Sequence, residues 1–162
     1  MSDPKAELAI DGWRQGIRFA ASHVVPHHPK CGHLHGHTYA VSCRLEGDVP
    51  GGGMIMDFGV VKDEIRALAD ELDHRWMLPR EPSSGEVTVE DGRVVYEVDG
   101  KRWDVPESDV ALVEIPVCTA EFLANLFADR LLKQVDFPDP VDRIEVGVDE
   151  GHGKGAWATR HP

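Results

Sequence analysis

The sequence predicts an α+β fold in which two helices cover one face of a four-stranded antiparallel sheet. Three segments predicted for this sheet alternate between apolar and polar residues, which is the period of a half-buried strand, and a fourth strand is expected near Trp157. Two longer segments place apolar residues along one helical face, and such a face needs a sheet to cover. With 162 residues, 41% of them apolar, the chain is long enough for one domain over residues 1–162.

The first two strands are predicted on either side of a loop rich in proline and histidine. Residues 16–25 alternate and place His23 on the apolar side. Residues 35–45 alternate again and place His35 and His37 together on one side. Because the prolines and glycine between them cannot continue a strand, we expect two antiparallel strands joined by a loop.

Two amphipathic helices are predicted in the remainder of the chain. The first covers residues 57–74, with Asp57 as its cap and apolar residues at helical spacing. The second follows Thr119, which can cap it, and must end before Pro138. Both helices are expected to pack on the same sheet.

A small inserted β-meander is predicted between the helices, over about residues 83–105. Two Asp-Gly pairs, which favour tight hairpin turns, separate three short alternating segments. These segments are 86–90, 93–98 and 101–105. The chain then closes with a strand over residues 144–150 and a last strand near Trp157.

Charge and composition exclude several classes of function. The 17 basic and 29 acidic residues give a net charge of -12, which disfavours binding to the phosphate backbone of a nucleic acid. The longest apolar runs are strand-sized, so no membrane span is expected. Residues 1–7 lack the features of a secretory signal, and three cysteines imply no disulfide framework. We therefore expect a cytoplasmic protein, in which a local basic pocket could still bind a small phosphorylated molecule.

Three histidines form a candidate metal site. His35 and His37 are two residues apart on a predicted strand, so both imidazoles point to one face. His23 has the same parity on the neighbouring strand, and its ring can converge on the same point. Three neutral histidines with a vacant fourth position are typical of a catalytic zinc site, since a structural site is normally closed by four ligands. The alternative is a surface pair or an accidental cluster.

Cys31 is a candidate base or nucleophile. It lies four residues before His35, in a loop with Lys30 and His33, and nearby cations or a metal favour the thiolate form of a cysteine. A metal ligand or an inert loop cysteine is the alternative. Cys43 and Cys118 fit the core better.

Two carboxylates complete the set of candidates. Asp73 ends the first predicted helix and can orient the imidazole of His74 as a proton shuttle, although a helix terminus also carries such residues for capping alone. Glu150 continues the apolar parity of residues 144–148, so its carboxylate should point inward or into a cleft. A guanidine-like edge of a heterocycle would satisfy it with two parallel hydrogen bonds, and an internal salt bridge is the alternative.

These residues lie in motifs whose order and spacing resemble the 6-pyruvoyltetrahydropterin synthase and 6-carboxytetrahydropterin synthase family. The motifs are 19–23, 31–37, 53–59, 72–74, 119–121 and Glu150. The Cys-x-x-x-His-Gly-His spacing of residues 31–37 resembles the bacterial 6-carboxytetrahydropterin synthase branch, which serves queuosine and other deazapurine pathways.

The resemblance implies a tunnelling fold, in which subunit sheets join into barrels and two trimers stack as a hexamer with active sites at subunit boundaries. It also implies roles for the candidates. Zinc would be held by His23, His35 and His37. Catalysis would fall to Cys31 with the acid/base pair Asp73 and His74. The pterin would be anchored by Glu150, in a pocket lined by Glu121 and Thr119.

The activity implied by the resemblance is that of a zinc-dependent lyase. It would convert 7,8-dihydroneopterin triphosphate to 6-carboxy-5,6,7,8-tetrahydropterin with release of acetaldehyde and triphosphate. The alternatives are 6-pyruvoyltetrahydropterin formation, a dihydroneopterin-cleaving variant for folate synthesis, or a non-catalytic zinc- or pterin-binding protein. Candidate cations for the triphosphate are Lys30, His27, His28 and Arg75.

The chain departs from the family pattern at several points. The short bacterial enzymes lack the predicted meander, which could reshape the pocket rim. Phe122 and Gly151 stand where family members commonly have Asn and Thr, and Leu78-Pro79 stands where an Asn often follows the Asp-His motif.

Overall fold

The computed structural model describes residues 3–162 and folds them into two sheets with helices against the larger one. The strands in chain order are β1 (Lys5–Ile10), β2 (Arg18–His23), β3 (His35–Asp48), β4 (Arg75–Pro79), β5 (Glu86–Glu90), β6 (Arg93–Val98), β7 (Lys101–Pro106), β8 (Val110–Val113), β9 (Val141–Asp149) and β10 (Gly155–Arg160). The α-helices are α1 (Gly12–Gln15), α2 (Phe58–Leu72) and α3 (Ala120–Gln134).

The main sheet has seven strands rather than the four predicted. Its order is β10-β9-β3-β2-β4-β8, and β1 pairs with the second half of β3, beyond the end of β2. The four predicted strands, β2, β3, β9 and β10, are neighbours with antiparallel pairing, and β10 forms one edge of the sheet. Strands β4 and β8 extend the sheet with parallel pairing. Parallel neighbours depend on contacts between distant parts of the chain, so local alternation does not reveal them.

The short helix α1 links β1 to β2 across the edge of β3. Gly12 is required there, because a Cβ atom would lie 2.2 Å from the carbonyl oxygen of Val41. The Gly12 N–H donates to the Ser42 hydroxyl at 2.9 Å, and Asp11 caps the helix through the Arg14 N–H. The turn therefore lets β1 and β2 occupy the same edge of one long strand.

The two long helices form where they were predicted. Asp57 caps α2 by accepting from the Gly59 N–H at 2.7 Å. Thr119 holds the N-cap backbone position of α3, but its side chain makes no capping hydrogen bond. The residues that α2 buries are those with helical spacing in the sequence, Val61, Ile65, Leu68, Ala69 and Leu72. The helices thus present their apolar faces to the sheet, as the predicted fold class requires.

The main core lies between the sheet and the two long helices. Phe19 stacks on Tyr39 at 4.8 Å and on Phe127 at 5.9 Å between ring centroids. These rings join neighbouring strands to α3, and all three are nearly inaccessible to solvent. Burial of this much apolar surface is the main stabilising contribution in a domain of this size.

The inserted meander forms a second sheet of β5, β6 and β7. Its turns, Asp91-Gly92 and Asp99-Gly100, have positive φ at both residues, as a type I′ turn requires. This sheet packs on the β4 side of the main sheet through a second apolar cluster. The buried members of that cluster are Val24, Trp76, Leu78, Val94, Tyr96, Val98 and Val110. Within residues 3–162, no helix is both long and apolar enough to cross a membrane.

Candidate metal centre and active-site cavity

Three imidazoles converge at the ends of β2 and β3. His23 pairs directly across the strands with His35, and His37 lies two residues further along the same face of β3. The Nε2 atoms of His23 and His35 are 3.1 Å apart, and one ring nitrogen from each of the three residues lies within 4.8 Å of the others. Two nitrogens bound to one tetrahedral zinc at about 2.0–2.1 Å lie roughly 3.3 Å apart. The cluster therefore has the size that a single metal ion needs.

Hydrogen bonds to the backbone orient two of these rings. Nδ1 of His23 donates to the Cys118 carbonyl at 2.5 Å, and Nδ1 of His35 donates to the His33 carbonyl at 2.7 Å. When Nδ1 carries the proton, Nε2 presents a lone pair. Both Nε2 atoms then face the cluster as ligands, so the donor set fits zinc.

Burial favours the metal-binding form of two of the three histidines, His23 and His37. His23 is 1% exposed, and burial lowers its pKa below the usual value for histidine. Burial also lowers the pKa of His37. A lowered pKa keeps an imidazole neutral near pH 7, and the neutral imidazole is the metal ligand.

Tyr39 forms the floor beneath the histidines. Its ring meets those of His23 and His37 edge-on, at 6.1 and 5.6 Å between centroids. Burial raises the pKa of its hydroxyl, so the phenol stays neutral. The period of β3 places Tyr39 on the same side of the strand as His35 and His37.

A cavity of about 250 Å³ opens beside the cluster. The predicted site residues on its wall are His23, Cys31, Thr119, Glu121 and Glu150. They come from β2, the loop after it, the start of α3 and the turn after β9. The structure thus brings together residues that are more than 120 positions apart in the sequence.

Cys31 is the one half-buried cysteine among the described residues. Cys43 and Cys118 are buried, and burial raises the pKa of each thiol to about 12. A thiol in that state does not act as a nucleophile near pH 7. The structure therefore separates two core cysteines from a third that faces the cavity.

Glu150 lies where its parity in the sequence predicts. It directly follows β9, and its backbone N–H donates to the Lys154 carbonyl at 3.0 Å. Its side chain is 23% exposed, and Oε1 is 3.9 Å from Nε2 of His23. Among residues 3–162 this is its one ion-pair contact, so the carboxylate is not consumed by a salt bridge to Lys or Arg.

Asp73 and His74 lie on a different surface. His74 lines an open concavity of about 650 Å³, together with residues of β2 and β3 and with Arg75 and Trp76. His37 also lines it, so the histidine cluster separates this concavity from the Cys31 cavity. One chain therefore does not place Asp73 and His74 in the cavity that holds Cys31.

The Asp73 carboxylate is firmly placed. One oxygen accepts from the Ala20 N–H at 2.7 Å, and the other lies 2.8 Å from Nδ1 of His74. The Ala20 hydrogen bond is the larger cause, and His74 the smaller, of a lowered pKa at Asp73. His74 has a positive φ of 57°, in the left-handed region that few residues adopt. The arrangement orients the His74 ring outward, with 82% of its side chain exposed.

Comparison with known proteins identifies the family. The family described as 6-pyruvoyl tetrahydropterin synthase matches residues 13–161. The chain belongs to this family. A Methanocaldococcus jannaschii protein provisionally named 6-carboxy-5,6,7,8-tetrahydropterin synthase is 36% identical over 158 residues, which are 95% of this chain and 96% of that protein. The Aquifex aeolicus 6-carboxy-5,6,7,8-tetrahydropterin synthase is 30% identical over 142 residues, covering 83% of this chain and 78% of that protein.

Solved structures of the synthase family confirm the tunnelling fold. The 6-pyruvoyltetrahydropterin synthase of Plasmodium vivax superposes with a TM-score of 0.90 at 25% identity, covering 99% of this chain and all of that one. The Caenorhabditis elegans 6-pyruvoyl tetrahydropterin synthase has a TM-score of 0.62 at 18% identity, covering 100% of this chain and 99% of that one. This second likeness shows the fold alone.

Within this member of the synthase family, Lys154 is a cavity residue that sequence reasoning missed. It lies on the cavity wall with Glu150, whereas Arg75 lies beside His74 and donates to the Ser108 carbonyl. His27 and His28 are engaged elsewhere, His27 by Asp99 and His28 by the backbone of its own loop. A signal was present: a glycine-rich turn after Glu150 brings Lys154 back beside it.

Proposed function

We propose that the protein is a zinc-dependent lyase that converts 7,8-dihydroneopterin triphosphate to 6-carboxy-5,6,7,8-tetrahydropterin, with release of acetaldehyde and triphosphate. The convergence of His23, His35 and His37 beside a cavity that also holds Cys31 and Glu150 carries this proposal. The names of the curated relatives support the same product.

Zinc is the metal that the donor set favours. Three neutral imidazoles with an open position form a catalytic rather than a structural site. When bound, zinc supplies a Lewis acid that holds the side-chain oxygens of the substrate and makes the adjacent C–H and O–H bonds more acidic. The residues that hold it are His23, His35 and His37.

Glu150 is suited to anchor the pterin ring. Its carboxylate faces the cavity and can accept two parallel hydrogen bonds from the guanidine-like edge of a pterin. Thr119 and Glu121, at the start of α3, line the same cavity and would contact the remainder of the ring.

Lys154 is suited to bind the triphosphate group of the substrate through its positive charge. It supplies a cation at the cavity wall of a protein whose net charge is -12. A local cation offsets the repulsion that a strongly acidic protein exerts on an anionic substrate.

Cys31 is positioned to remove a proton from the substrate side chain, and His74, oriented by Asp73, is suited to relay it. The two groups lie on separate surfaces of one chain. We therefore propose that Asp73 and His74 of one subunit serve Cys31 of its partner in a hexamer of two stacked trimers. The exposure of the His74 side chain leaves it accessible to a second subunit, which supports this proposal.

The product places the protein before enzymes that use 6-carboxytetrahydropterin, in a queuosine or other deazapurine pathway of the cytoplasm. The acidic charge gives no support for a nucleic acid as a partner. The partner that we propose is a small anionic pterin.

A second candidate is formation of 6-pyruvoyltetrahydropterin at the same site. The TM-score of 0.90 to the Plasmodium vivax 6-pyruvoyltetrahydropterin synthase favours it. A purely binding role has less support, because the inserted sheet contributes no wall to the Cys31 cavity within the described residues. Its Val105 instead borders the concavity beside His74.

One incubation tests these proposals. The zinc-loaded protein is mixed with 7,8-dihydroneopterin triphosphate, the products are identified by mass spectrometry, and a chelated sample is the control. We expect 6-carboxytetrahydropterin and acetaldehyde only with metal. A pyruvoyl or hydroxymethyl pterin would replace the proposed product, and turnover in the chelated sample would refute metal dependence.

A further inference from the structure

The inserted sheet contacts the loop between β2 and β3, residues 24–34, which carries Cys31 and is called the cysteine loop below. Asp99, at the turn between β6 and β7, accepts from the backbone N–H of His27 at 2.8 Å. Its other carboxylate oxygen lies 2.7 Å from Nδ1 of the same imidazole. Nε2 of His27 lies 2.9 Å from the hydroxyl of Ser84, just before β5. One end of the cysteine loop is thus linked to the insertion by three polar contacts.

The other end of the loop is held by Lys101 of the insertion. Nζ of Lys101, at the start of β7, donates to the carbonyl of Gly32 at 2.8 Å. Gly32 directly follows Cys31, and it is buried. A Cβ atom at Gly32 would lie 2.6 Å from the His28 carbonyl, so the chain is tightly folded at this point.

The loop between these two contacts is a compact hydrogen-bonded unit. The Val25 N–H donates to the Cys31 carbonyl at 2.8 Å, and the Gly32 N–H donates to the His28 carbonyl at 2.9 Å. The Cys31 N–H itself donates to Nδ1 of His28 at 2.9 Å. A displacement at either end of such a unit is transmitted to Cys31.

Apolar packing supports the same contact. Val24, where the loop leaves β2, is buried in the second apolar cluster with Tyr96 and Val98 of the insertion. Burial of this contact anchors the inserted sheet, while the polar contacts at its hairpin turn determine where the loop lies.

We infer that the inserted sheet positions Cys31, and that Asp99 and Lys101 are positioning residues for the reaction. The catalytic consequence rests on the proposed function, whereas the contact itself does not. A small misplacement of a reacting group lowers the reaction rate by a large factor. Anchoring the loop at both ends would therefore preserve the rate by keeping Cys31 in place.

Ser84, His27 and Asp99 are connected in the order of a hydrolase triad. His27 nevertheless exposes 67% of its side chain, and Asp99 also binds its backbone. A base that works on a serine is normally shielded and held through its ring. We therefore assign the trio to positioning of the loop.

The test removes both side-chain contacts while keeping the turn. Asp99→Gly preserves the positive φ of 53°, which glycine adopts freely, and Lys101→Met keeps the aliphatic stem. Arg93→Gln is the matched control, because it removes the Arg93–Asp104 ion pair at the opposite end of the same hairpin. Asp99→Asn tolerates the positive φ and still accepts from the His27 N–H, so it should rescue part of the effect.

The first readout is the rate at which iodoacetamide alkylates Cys31, followed by peptide mass spectrometry. Cys43 and Cys118 are buried and serve as internal references. We expect the double variant to react at least about threefold faster at Cys31, since a released loop opens locally, and Arg93→Gln to react at the wild-type rate. Equal rates in the double variant and Arg93→Gln would overturn the inference.

The second readout is turnover. The double variant should lose about tenfold in kcat with unchanged KM and zinc content, and Asp99→Asn should lose less. Faster alkylation with an unchanged kcat would overturn the positioning role. If the wild-type protein turns over no pterin, the proposed function fails, and alkylation still decides whether the insertion holds the loop.

Discussion

The Cys31 cavity and the concavity beside His74 border the same histidine cluster but are built differently. The first is about 250 Å³ and draws its wall from a strand, a loop, a helix start and a turn. The second is about 650 Å³, more open, and lined largely by two strands. His23 is 1% exposed, whereas the His74 side chain is 82% exposed.

The difference shows that one chain assembles the histidine cluster by itself, whereas it does not bring His74 to Cys31. Two of the three candidate metal ligands, His23 and His35, are oriented by hydrogen bonds to backbone carbonyls of the same chain. Asp73 places the candidate proton relay equally well, but among the described residues Cys31 does not line the concavity beside His74. A shielded environment strengthens electrostatic and acid/base effects, and for His74 a second subunit is the proposed source of that shielding.

The largest effect is expected at the metal cluster that the two surfaces share. His35→Ala removes one of three ligands, so zinc content measured by mass spectrometry should fall and turnover should drop by at least about 10³-fold. His33→Ala is the control, because it keeps the backbone carbonyl that accepts from Nδ1 of His35. Full activity after loss of the metal would remove the cluster from the proposed chemistry.

Cys31→Ala tests the cavity alone. We expect kcat to fall by roughly 10²- to 10⁴-fold, because a general base acts mainly in the transition state, while zinc content and pterin affinity stay near wild type. Steady-state kinetics with a binding titration measure the separation. A raised KM at unchanged kcat would reassign Cys31 to binding.

Mixed assemblies test whether the two surfaces meet between subunits. Cys31→Ala and His74→Ala should each be inactive, yet a refolded mixture should regain about a quarter of wild-type activity, since about a quarter of random boundary sites receive both intact residues. A mixture of Cys31→Ala with His35→Ala should regain none, because those residues must come from one chain. Equal outcomes in the two mixtures would place the relay elsewhere.

Glu150→Gln tests the proposed pterin anchor beside the histidine cluster. Loss of a charge-assisted hydrogen bond should weaken pterin binding by roughly 1.5–3 kcal/mol, as measured by calorimetry. Glu90→Gln on the exposed β5 strand is the control. Unchanged affinity in Glu150→Gln would leave that residue a structural role.

The smallest effect is expected at Lys154. Lys154→Ala should raise KM for the triphosphate substrate by roughly threefold to tenfold, because an exposed charge contributes about 1 kcal/mol, and raised salt should reduce the difference. Dihydroneopterin without phosphates should bind both proteins equally. A loss that is the same for both ligands would contradict a contact with phosphate.

Local sequence determined the strand that carries two of the clustered histidines, the first long helix and the inserted meander. Strand parity placed His35 and His37 on one face, helical spacing and Asp57 defined α2, and the Asp-Gly pairs defined the meander. Each of these features depends on a few neighbouring residues, because side-chain direction and turn conformation follow local backbone geometry.

The tertiary structure decided the pairings and approaches between distant segments. It added β1, β4 and β8 to the sheet, brought Lys154 to the cavity wall, and separated Asp73 and His74 from Cys31. It also placed the inserted sheet against the cysteine loop. Such contacts depend on the packing of the whole chain, and periodicity along one segment carries no information about which distant segment lies beside it.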